Sequence, residues 1–352
     1  MAVASGSEAA TAPTPDGPAP RRAAGARAPG LLKRFLTLRE GSIIVVTLIT
    51  LIYFALSTTN FFTISNFKTL LPYFAPYAIL AAGEVFVMIL GEIDLSIGAM
   101  YLFSPFLWHL IHHAGVPIYP SIILTLAIVC AIGAFNGVMV AIVGISSFVA
   151  TLGMLFVLDG LTLVTSHSTP ITTPGTTTIG VNTFAQIFGA GTYSELFWAL
   201  AIVAILQVGL SLTRWGIFTV ASGGNRLGAA EAGIRVNAVI IRNFIVCAGL
   251  AGFVGILEAV RVTTATPDPS GSNDILFQAI SAAVIGGTLL KGGSGTVVGA
   301  LIGAIFLGIL HDGLIIKGVS ANYLDLYLGI AILIAMAMNV YVARVRRGSG
   351  RG

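Results

Sequence analysis

Two carboxylates, Glu92 and Asp94, stand two residues apart in the segment LGEIDLSIG at positions 90–98, between long apolar runs. Paired acids can perform acid–base catalysis or bind cations, and the side-chain oxygens of Asp and Ser can also cap a helix. Which chemistry applies depends on the elements that hold these side chains, and the composition of the chain indicates what those elements are.

The chain is far more apolar than a soluble domain. Its hydrophobic fraction is 56% and its charged fraction is 9%, against about 45–50% and about 25% in soluble proteins. Such a chain cannot cover a water-facing surface with charge, so we expect an integral membrane protein. Cys130 and Cys247 both lie within apolar runs, which argues against a disulfide framework or a metal site.

The apolar runs predict an all-α polytopic membrane fold, because a membrane helix needs about 20 mostly apolar residues. We predict about ten transmembrane helices, some of them broken or short, and the second and eighth are the weakest predictions. The predicted segments are 41–59, 73–91, 94–112, 120–143, 147–165, 194–212, 239–261, 276–291, 296–314 and 322–342.

The composition also predicts a simple domain organisation. Residues 1–40 are expected to form a disordered basic tail and residues 343–352 a second basic tail, flanking a transmembrane domain at 41–342. The loop at 213–238 carries charges of both signs and predicts a small surface element.

Basic residues predict the orientation, since cytoplasmic loops carry an excess of Lys and Arg. With the N-terminus in the cytoplasm and ten spans, only Lys68, Arg261 and Lys317 of the 18 Lys and Arg residues fall outside. An odd number of spans would place the C-terminal basic cluster outside. We therefore expect both termini and the 213–238 loop in the cytoplasm, and the basic charge requires no nucleic-acid partner.

The sequence lacks the motifs of an enzyme. No Gly-x-x-x-x-Gly-Lys-Ser/Thr phosphate-binding segment is present, and the nearest text, GGTLLKGGSG, lacks its Lys-Ser/Thr ending. No His, Glu or Cys pairs show metal-ligand spacing. Any work that the protein performs is expected to draw its energy from a partner or an ion gradient.

The segment SGGNRLGAAEAGIRVN at 222–237 is the most informative part of the loop. Its GGN predicts a turn, RLGAAEA predicts about two helical turns, and Gly233 predicts the helix stop. A short helix with small residues on one face can fit into a groove of another protein. The alternative is a simple interfacial helix between two spans.

Four stretches together resemble one family. The pattern of Gly223-Gly224-Asn225, seven residues, then Gly-Ile resembles the cytoplasmic coupling loop of ribose/xylose-type ABC importer permeases. LGEIDLSIGAM, GISSFVATLGMLFVLDGLTL and AAVIGGTLLKGGSGTVVGALIGAIFLGIL resemble three further segments of that family, in the family's order. The resemblance covers roughly residues 40–342.

The resemblance implies a multi-pass permease of the bacterial inner membrane, homodimeric or pseudo-dimeric, that moves a monosaccharide or polyol by alternating access. It also implies a cytoplasmic ABC ATPase, which binds ATP and Mg, and an extracytoplasmic sugar-binding protein; this chain would bind no cofactor. The residues it assigns to coupling with the ATPase are Gly223, Gly224, Asn225, Ala229, Ala230, Glu231 and Gly233.

Some positions depart from the family pattern. Ser146-Ser147 stand where two prolines are common, and Asp159-Gly160 stand where Arg often precedes Gly. Glu84 and Glu92 occupy positions that are more often apolar or Gly. The departures bear on the identity of the substrate rather than on membership of the family.

Within a membrane, the LGEIDLSIG acids are expected to serve architecture. Irregular backbone survives there only where protein or water satisfies its polar groups, and Gly91 and Gly98 bracket a predicted helix break. Asp94, with Ser96, is expected to cap the following helix, in preference to contacting substrate. Glu92 is expected either to face cytoplasmic water or to pair with a basic group at 226–242.

Four further polar residues within the spans are candidates for the transport pathway: Glu84, Asn136, Asp159 and Glu258. A charged side chain at the centre of a membrane helix costs roughly 2.5–3.5 kcal/mol on insertion scales, so each acid should face protein or water. Buried structural roles are an equal alternative for the acids, and helix–helix contact is the first expectation for Asn136. Glycines at 295, 299 and 303 predict close helix packing rather than a hinge.

The rival hypothesis is a secondary transporter coupled to protons through Glu84, Glu92 or Asp159. That hypothesis makes these acids essential for transport and needs no ATPase partner. Substitution of Glu231 and Gly233 separates the two, because only an ATP-driven importer would lose coupling to an ATPase.

Overall fold

A computed structural model describes residues 40–174, 181–190 and 193–349 of the chain. The tail predicted at 1–40 lies outside the described residues apart from Glu40, and residues 350–352 of the predicted C-terminal tail lie outside as well. The last helix continues through Ser349, so the described part of that tail extends the final span as helical backbone.

The described residues form thirteen α-helices, two π-helical segments, one 3₁₀ turn and one two-stranded antiparallel sheet. The strands β1 (Ile171–Thr172) and β2 (Thr264–Ala265) pair antiparallel, with Thr172 opposite Thr264. The helices are α1 (Gly41–Ser57), α2 (Ile64–Ile89), α3 (Ile97–His113), α4 (Ile118–Val138), α5 (Ser147–Ser166), α6 (Val181–Ala185), α7 (Ser194–Leu212), α8 (Arg214–Gly224), α9 (Arg226–Glu231), α10 (Val236–Val262), α11 (Pro269–Ile285), α12 (Val297–Ile316) and α13 (Leu324–Ser349).

The fold is that of an all-α polytopic membrane protein, as predicted. Seven helical segments of the described part of the chain are long and apolar enough to span a membrane: α2, α4 with its π-helical extension to Val143, α5, α7, α10, α12 and Ala321–Met338. The remaining segments predicted to span correspond to α1, α3 and α11, which have 17 residues each and fall below that length.

The second predicted segment, 73–91, begins too late. Helix α2 starts at Ile64, where the hydroxyl of Thr63 accepts a hydrogen bond from the Asn66 amide at 3.2 Å. Pro72 and Pro76 lie within the helix and do not end it. Hydropathy missed the first turns because they contain polar residues, whereas the cap that fixes the start is a local hydrogen bond.

The eighth predicted segment, 276–291, is displaced toward the C-terminus. Helix α11 starts at Pro269, directly after Asp268, whose carboxylate accepts a hydrogen bond from the Ser270 amide at 3.0 Å. It ends at Ile285, and Gly287 follows with a φ of +97°. A proline at the first helical position and a left-handed glycine after the last turn are ordinary boundary signals.

Helix α2 is the centre of the molecule. Its residues 74–89 are all buried, and it packs against α7, α10, α11 and α12. Helix α10 in turn packs against α2, α3 and α4, so α2 and α10 together hold most of the bundle. The segment at 222–237, called the coupling segment below, meets the C-terminal end of α2 through Gly223 and Arg226.

Helices α11 and α12 approach through the predicted glycines. A Cβ at Gly299 would collide with the carbonyl oxygen of Gly286, and a Cβ at Gly303 would collide with that of Ala282. The structure therefore confirms the packing role of these two positions.

We expect Gly303→Ala to lower the free energy of unfolding by about 1–3 kcal/mol, because the added methyl group has no room beside Ala282. Gly160→Ala is the matched control: no atom lies within 4 Å of a Cβ at that position of α5. Alanine is the better helix former there, by about 1 kcal/mol at most. Thermal unfolding of both variants in detergent checks this. Equal midpoints would contradict the packing role.

Candidate coupling site and transport pathway

The chain breaks its helical path between α2 and α3, at the first motif of the sequence. Helix α2 ends at Ile89 and α3 begins at Ile97, and Gly91 has a φ of +76° that favours glycine. The amides at 90–92 bond to carbonyl oxygens in the last turn of α2, whereas those at 93–95 do not continue either helix. In a membrane each must be satisfied by other parts of the protein.

Side chains from neighbouring elements satisfy these amides. The amide of Ile93 donates to Ser147 Oγ at 3.3 Å, and that of Leu95 donates to Thr151 Oγ1 at 3.0 Å. Both acceptors lie on α5, one turn apart. The amide of Asp94 donates to Glu84 Oε1 at 2.9 Å. The irregular backbone is thus held by α5 on one side and α2 on the other.

Sequence reasoning did not identify Ser147 and Thr151 as functional residues. Ser147 was noted only because it replaces a proline common in the family. The available signal was the spacing of four residues between two hydroxyl side chains, which places both on the same face of a helix. A hydroxyl at 147 supplies an acceptor that a proline side chain would not.

The predicted helix cap by Asp94 is wrong in its detail. Its Oδ1 accepts from the Ser96 amide at 2.9 Å and from the Ser96 hydroxyl at 2.5 Å, so the carboxylate closes a turn over two residues. The residue directly before α3 is Ser96, and its side chain makes no capping bond. An Asp side chain readily accepts a hydrogen bond from the backbone amide two residues ahead, so this local turn forms in place of the helix cap.

Glu84 and Asn136 belong to the same buried cluster. Glu84 is fully buried, and its second oxygen lies 3.4 Å from Cys247 Sγ on α10. Asn136 Nδ2 donates to Ser96 Oγ at 2.9 Å. A Cβ at Gly133, one turn before Asn136, would collide with α10, so α4 lies directly against α10. The cluster joins α2, α4, α10 and the helix break.

Asp159 does not join this cluster. It lies on α5 with 8% of its surface exposed, and its Oδ1 has no hydrogen-bond partner in the described part of the chain. Its predicted place in the pathway stays a prediction.

The loop predicted to couple to an ATPase forms two short helices. Helix α8 ends at Gly224, so Gly223 and Gly224 belong to its last turn, and the predicted GGN turn is wrong to that extent. Asn225 lies between the helices and caps α9 by accepting from the Gly228 amide at 3.0 Å. Gly233, with a φ of +83°, ends the segment as predicted.

The two faces of α9 differ in burial. Ala229 is buried, whereas Ala230 and Glu231 are exposed. Leu227 is 71% exposed, an apolar side chain that the sequence analysis did not single out. The exposed side of α9 therefore combines one large apolar group with small residues.

The coupling segment contacts the C-terminal end of α2 directly. Arg226 forms an ion pair with Glu92 and donates from Nη2 to the carbonyl oxygen of Leu90 at 3.0 Å. Of the two roles expected for Glu92, the structure shows the pairing with a basic group of the loop. Gly223 lies so close to Ile89 that a Cβ there would collide with the Ile89 carbonyl oxygen.

A third motif, KGGSG at 291–295, completes this contact. The amide of Gly293 donates to the Ile89 carbonyl oxygen at 2.7 Å. Gly292 and Gly293 have φ values of +82° and +77°, and a Cβ on Gly292 would lie 2.8 Å from the Gly91 amide nitrogen. We call residues 89–92, 223–226 and 291–293 the junction. Three segments distant in sequence meet there.

A cavity lies at the other end of α10, away from the junction. Its volume is about 240 Å³, and its walls come from α3, the last turns of α10, β2 and the start of α11. Glu258 is among its lining residues, as are Tyr101, Thr264 and Asp268. Of the four predicted pathway residues, only Glu258 lines this cavity.

Two glycines allow helices to approach closely beside this cavity. A Cβ at Gly255 would collide with the carbonyl oxygen of Tyr101, and a Cβ at Gly98 with that of Ser272. Gly98 was predicted to end the helix break, and it lies instead in the first turn of α3. Its role in the structure is the close approach of α3 to α11.

Glu258 belongs to a charged group that the sequence analysis missed. Its Oε2 accepts from Arg261 Nε at 2.9 Å, and its other oxygen accepts from the same guanidinium. Arg261 Nε also lies 3.5 Å from Glu195 Oε1 at the start of α7. The i,i+3 spacing of Glu258 and Arg261 was a usable signal, whereas Glu195 is remote in sequence.

Comparisons with known proteins show similarity to transport permeases. The model of a family described as branched-chain amino acid transport system / permease component matches residues 66–336. The chain is 34% identical over 316 residues to the xylose/arabinose import permease of Sulfolobus acidocaldarius, covering 87% of this chain and 86% of the relative. It is 33% identical over 318 residues to the ribose import permease of Escherichia coli K12, covering 87% and 96%. The D-allose transport system permease of the same strain is 29% identical over 307 residues, covering 87% and 93%. No solved structure matches with statistical significance.

The junction predicts opposite outcomes for two adjacent glycines. Gly223→Ala should lower the free energy of unfolding by about 1–3 kcal/mol, because the methyl group would collide with the Ile89 carbonyl. Gly224→Ala should not destabilise the protein, because no atom lies within 4 Å of a Cβ there. Thermal unfolding midpoints in detergent measure the difference. The close contact would be refuted if Gly223→Ala were as stable as Gly224→Ala.

Proposed function

Because the chain belongs to the branched-chain amino acid transport system / permease component family, we propose that it is the membrane permease of an ATP-driven sugar importer. The observation that carries the mechanism is the junction. It connects a short exposed helix, α9, to the end of α2, the most buried helix of the bundle. A force applied to α9 is therefore transmitted to the helix break between α2 and α3.

A sugar is the best-supported substrate within this family. The family description mentions branched-chain amino acids, whereas the three relatives reported above are import or transport permeases for xylose and arabinose, ribose, and allose. Each comparison covers 87% of this chain, including the junction and the cavity. We infer a monosaccharide or closely similar polyol as substrate.

The proposed topology has ten spans in the inner membrane, with both termini and the coupling segment in the cytoplasm. Helices α1, α3 and α11, at 17 residues each, are about 26 Å long and reach across most of a hydrocarbon core of about 30 Å. The bias of basic residues supports this orientation, which places the cavity toward the outside. The binding protein would deliver sugar to that side.

ATP and Mg are proposed to bind to a partner ATPase rather than to this chain. The docking surface on the permease would be the exposed side of α9, with Leu227, Ala230 and Glu231. Leu227 would bury its side chain in a groove of the ATPase, and the small alanine would allow close approach. A second permease copy completes the expected two-fold assembly, one ATPase per permease.

Alternating access follows from differential binding. ATP can shift the balance between inward-open and outward-open states only if the ATPase dimer binds the two states unequally. Rigid-body movement of α8 and α9 would move the end of α2 as well, because the Gly223 backbone packs directly against the Ile89 carbonyl group. The helix break is then the place where α2 and α3 change their relative position.

Leu227→Ala should weaken binding of the ATPase while leaving the permease folded. Truncating a buried apolar anchor at an interface typically costs 1 kcal/mol or more of binding free energy, about a tenfold change in affinity at 1.4 kcal/mol. The measurement is a pull-down of the tagged permease in mild detergent, with mass spectrometry of the proteins that accompany it. Phe156→Ala, which truncates a 66% exposed side chain on α5, is the control. Retention of an ATP-binding subunit equally by both variants would exclude α9 as the docking site.

The wild-type pull-down tests the function itself. An ATP-binding subunit and an extracytoplasmic sugar-binding protein should accompany the permease. Absence of both, under conditions that preserve a known ABC complex, would refute the importer.

The ion pair in the junction should affect coupling more than stability. Glu92→Gln and Arg226→Gln should each reduce the sugar transported per ATP hydrolysed in proteoliposomes of the complex. Their unfolding midpoints should change little, because partly exposed ion pairs contribute about 0.2–1 kcal/mol. The exchange Glu92→Arg with Arg226→Glu should recover part of the coupling, but not the hydrogen bond to Leu90. If the exchange variant transports no more sugar per ATP hydrolysed than either single variant does, the pair has no role in coupling.

A further inference from the structure

The cavity between α3, α10 and α11 combines features suited to one class of ligand. Leu102, Pro105 and Ile275 give it an apolar side, and Thr264, Thr266 and Asp268 give it a polar edge. A sugar ring has C–H faces that pack on apolar surfaces and hydroxyls that bond carboxylates and threonines. The volume of about 240 Å³ accommodates a molecule of monosaccharide size.

The charges around the cavity are unbalanced. Glu258 and Asp268 both lie on its wall, and no Lys, Arg or His is among the described residues that line it. Arg261 is the nearby base, but Glu258 already occupies its Nε/Nη2 edge with both carboxylate oxygens. Glu195, with 4% of its side chain exposed, lies on the same guanidinium. With Glu195 protonated the group has one surplus negative charge, and with it ionised there are two.

This imbalance discriminates between ligand classes. A carboxylate or phosphate on the ligand would lose its water beside uncompensated acids, with no cation on the described wall to replace the water. A zwitterionic amino acid meets the same difficulty at its α-carboxylate. Neutral hydroxyls instead donate hydrogen bonds to the wall acids, which are stronger than bonds between neutral groups.

We propose that this cavity is a sugar subsite of the permease pathway, and that Glu258, Asp268 and Glu195 restrict it to neutral polyols by excluding anions and amino acids. The proposal rests on the proposed function, and it assigns part of the specificity to the permease itself. Arg261 acts as a positioning residue. It fixes the Glu258 carboxylate on the wall, and its own charge is neutralised in doing so.

The electrostatic part can be measured on the purified permease in nanodiscs. A cysteine is introduced on the wall by Thr264→Cys, and its reaction rates with a cationic and an anionic methanethiosulfonate are compared. The control is Thr169→Cys, at an exposed threonine after α5 that does not line the cavity. The unmodified chain, with Cys130 half-buried and Cys247 buried, gives the background.

Normalised to the Thr169 control, the cation should react about tenfold faster than the anion, since one or two nearby charges change local concentrations by that order. Asp268→Asn should lower this preference severalfold. Asparagine keeps an oxygen that can cap α11, so the variant should fold. Glu258→Gln should lower it as well, because it also releases the charge of Arg261. Equal rates for both reagents on the Thr264 variant would overturn the charge filter.

Ligand protection tests the subsite. D-Xylose or D-ribose should slow labelling of Thr264→Cys and leave Thr169→Cys unaffected, whereas D-galacturonate and L-leucine should not protect. Protection by galacturonate or leucine equal to that by the pentoses would overturn the proposal, and so would absence of pentose protection at the solubility limit. Neither result bears on the importer function, which the pull-down of partner subunits tests separately.

Discussion

The fold depends on satisfying the backbone between α2 and α3 inside a membrane protein. Leaving one buried backbone group without a partner costs about 1–3 kcal/mol, and this segment has several in succession. Donors at 93–95 find acceptors on Ser147, Thr151 and Glu84. Carbonyls at the end of α2 find donors on Gly293 and Arg226. The break can exist only when all these elements are in place.

The same requirement explains why the coupling segment is attached so firmly. The last carbonyls of a helix have no helical donors and carry its negative dipole end. Arg226 meets both needs at Leu90, and a glycine amide meets the first at Ile89. The rigid part of this attachment is the backbone contact of Gly223 and Gly293 with Ile89. The ion pair between Arg226 and Glu92 is partly exposed and contributes little free energy. One set of contacts therefore both satisfies the last carbonyl groups of α2 and would transmit motion to that helix.

Hydropathy predicted the membrane class and the approximate place of each long helix, because apolar length is a property of the sequence itself. It missed the starts of α2 and α11, which are fixed by caps at Thr63 and Asp268 rather than by apolarity. Of the two roles left open for Glu92, the structure shows pairing with the loop; charge is so scarce in this chain that few partners exist. The meeting of Gly223, Gly293 and Ile89 could not be predicted, since close backbone approach between distant segments leaves only the presence of glycine as a signal. Glu195 was missed because it is far from Arg261 in the sequence and meets it only in the folded chain.

The polar groups of the two ends differ in how they are used. At the helix break, Ser147, Thr151 and Glu84 spend their acceptor capacity on backbone amides, so the protein itself occupies them and little remains for a substrate. At the cavity, Glu258 is only partly neutralised by Arg261, and Asp268 caps α11 with Oδ1 while its Oδ2 takes no part in that bond. Glu195 does not line the cavity and lies against the Arg261 guanidinium. A group already engaged with its own backbone stabilises one conformation, whereas a group with unused capacity can distinguish one ligand from another. This difference, more than the mere presence of acids within the spans, separates architecture from candidate specificity in this chain.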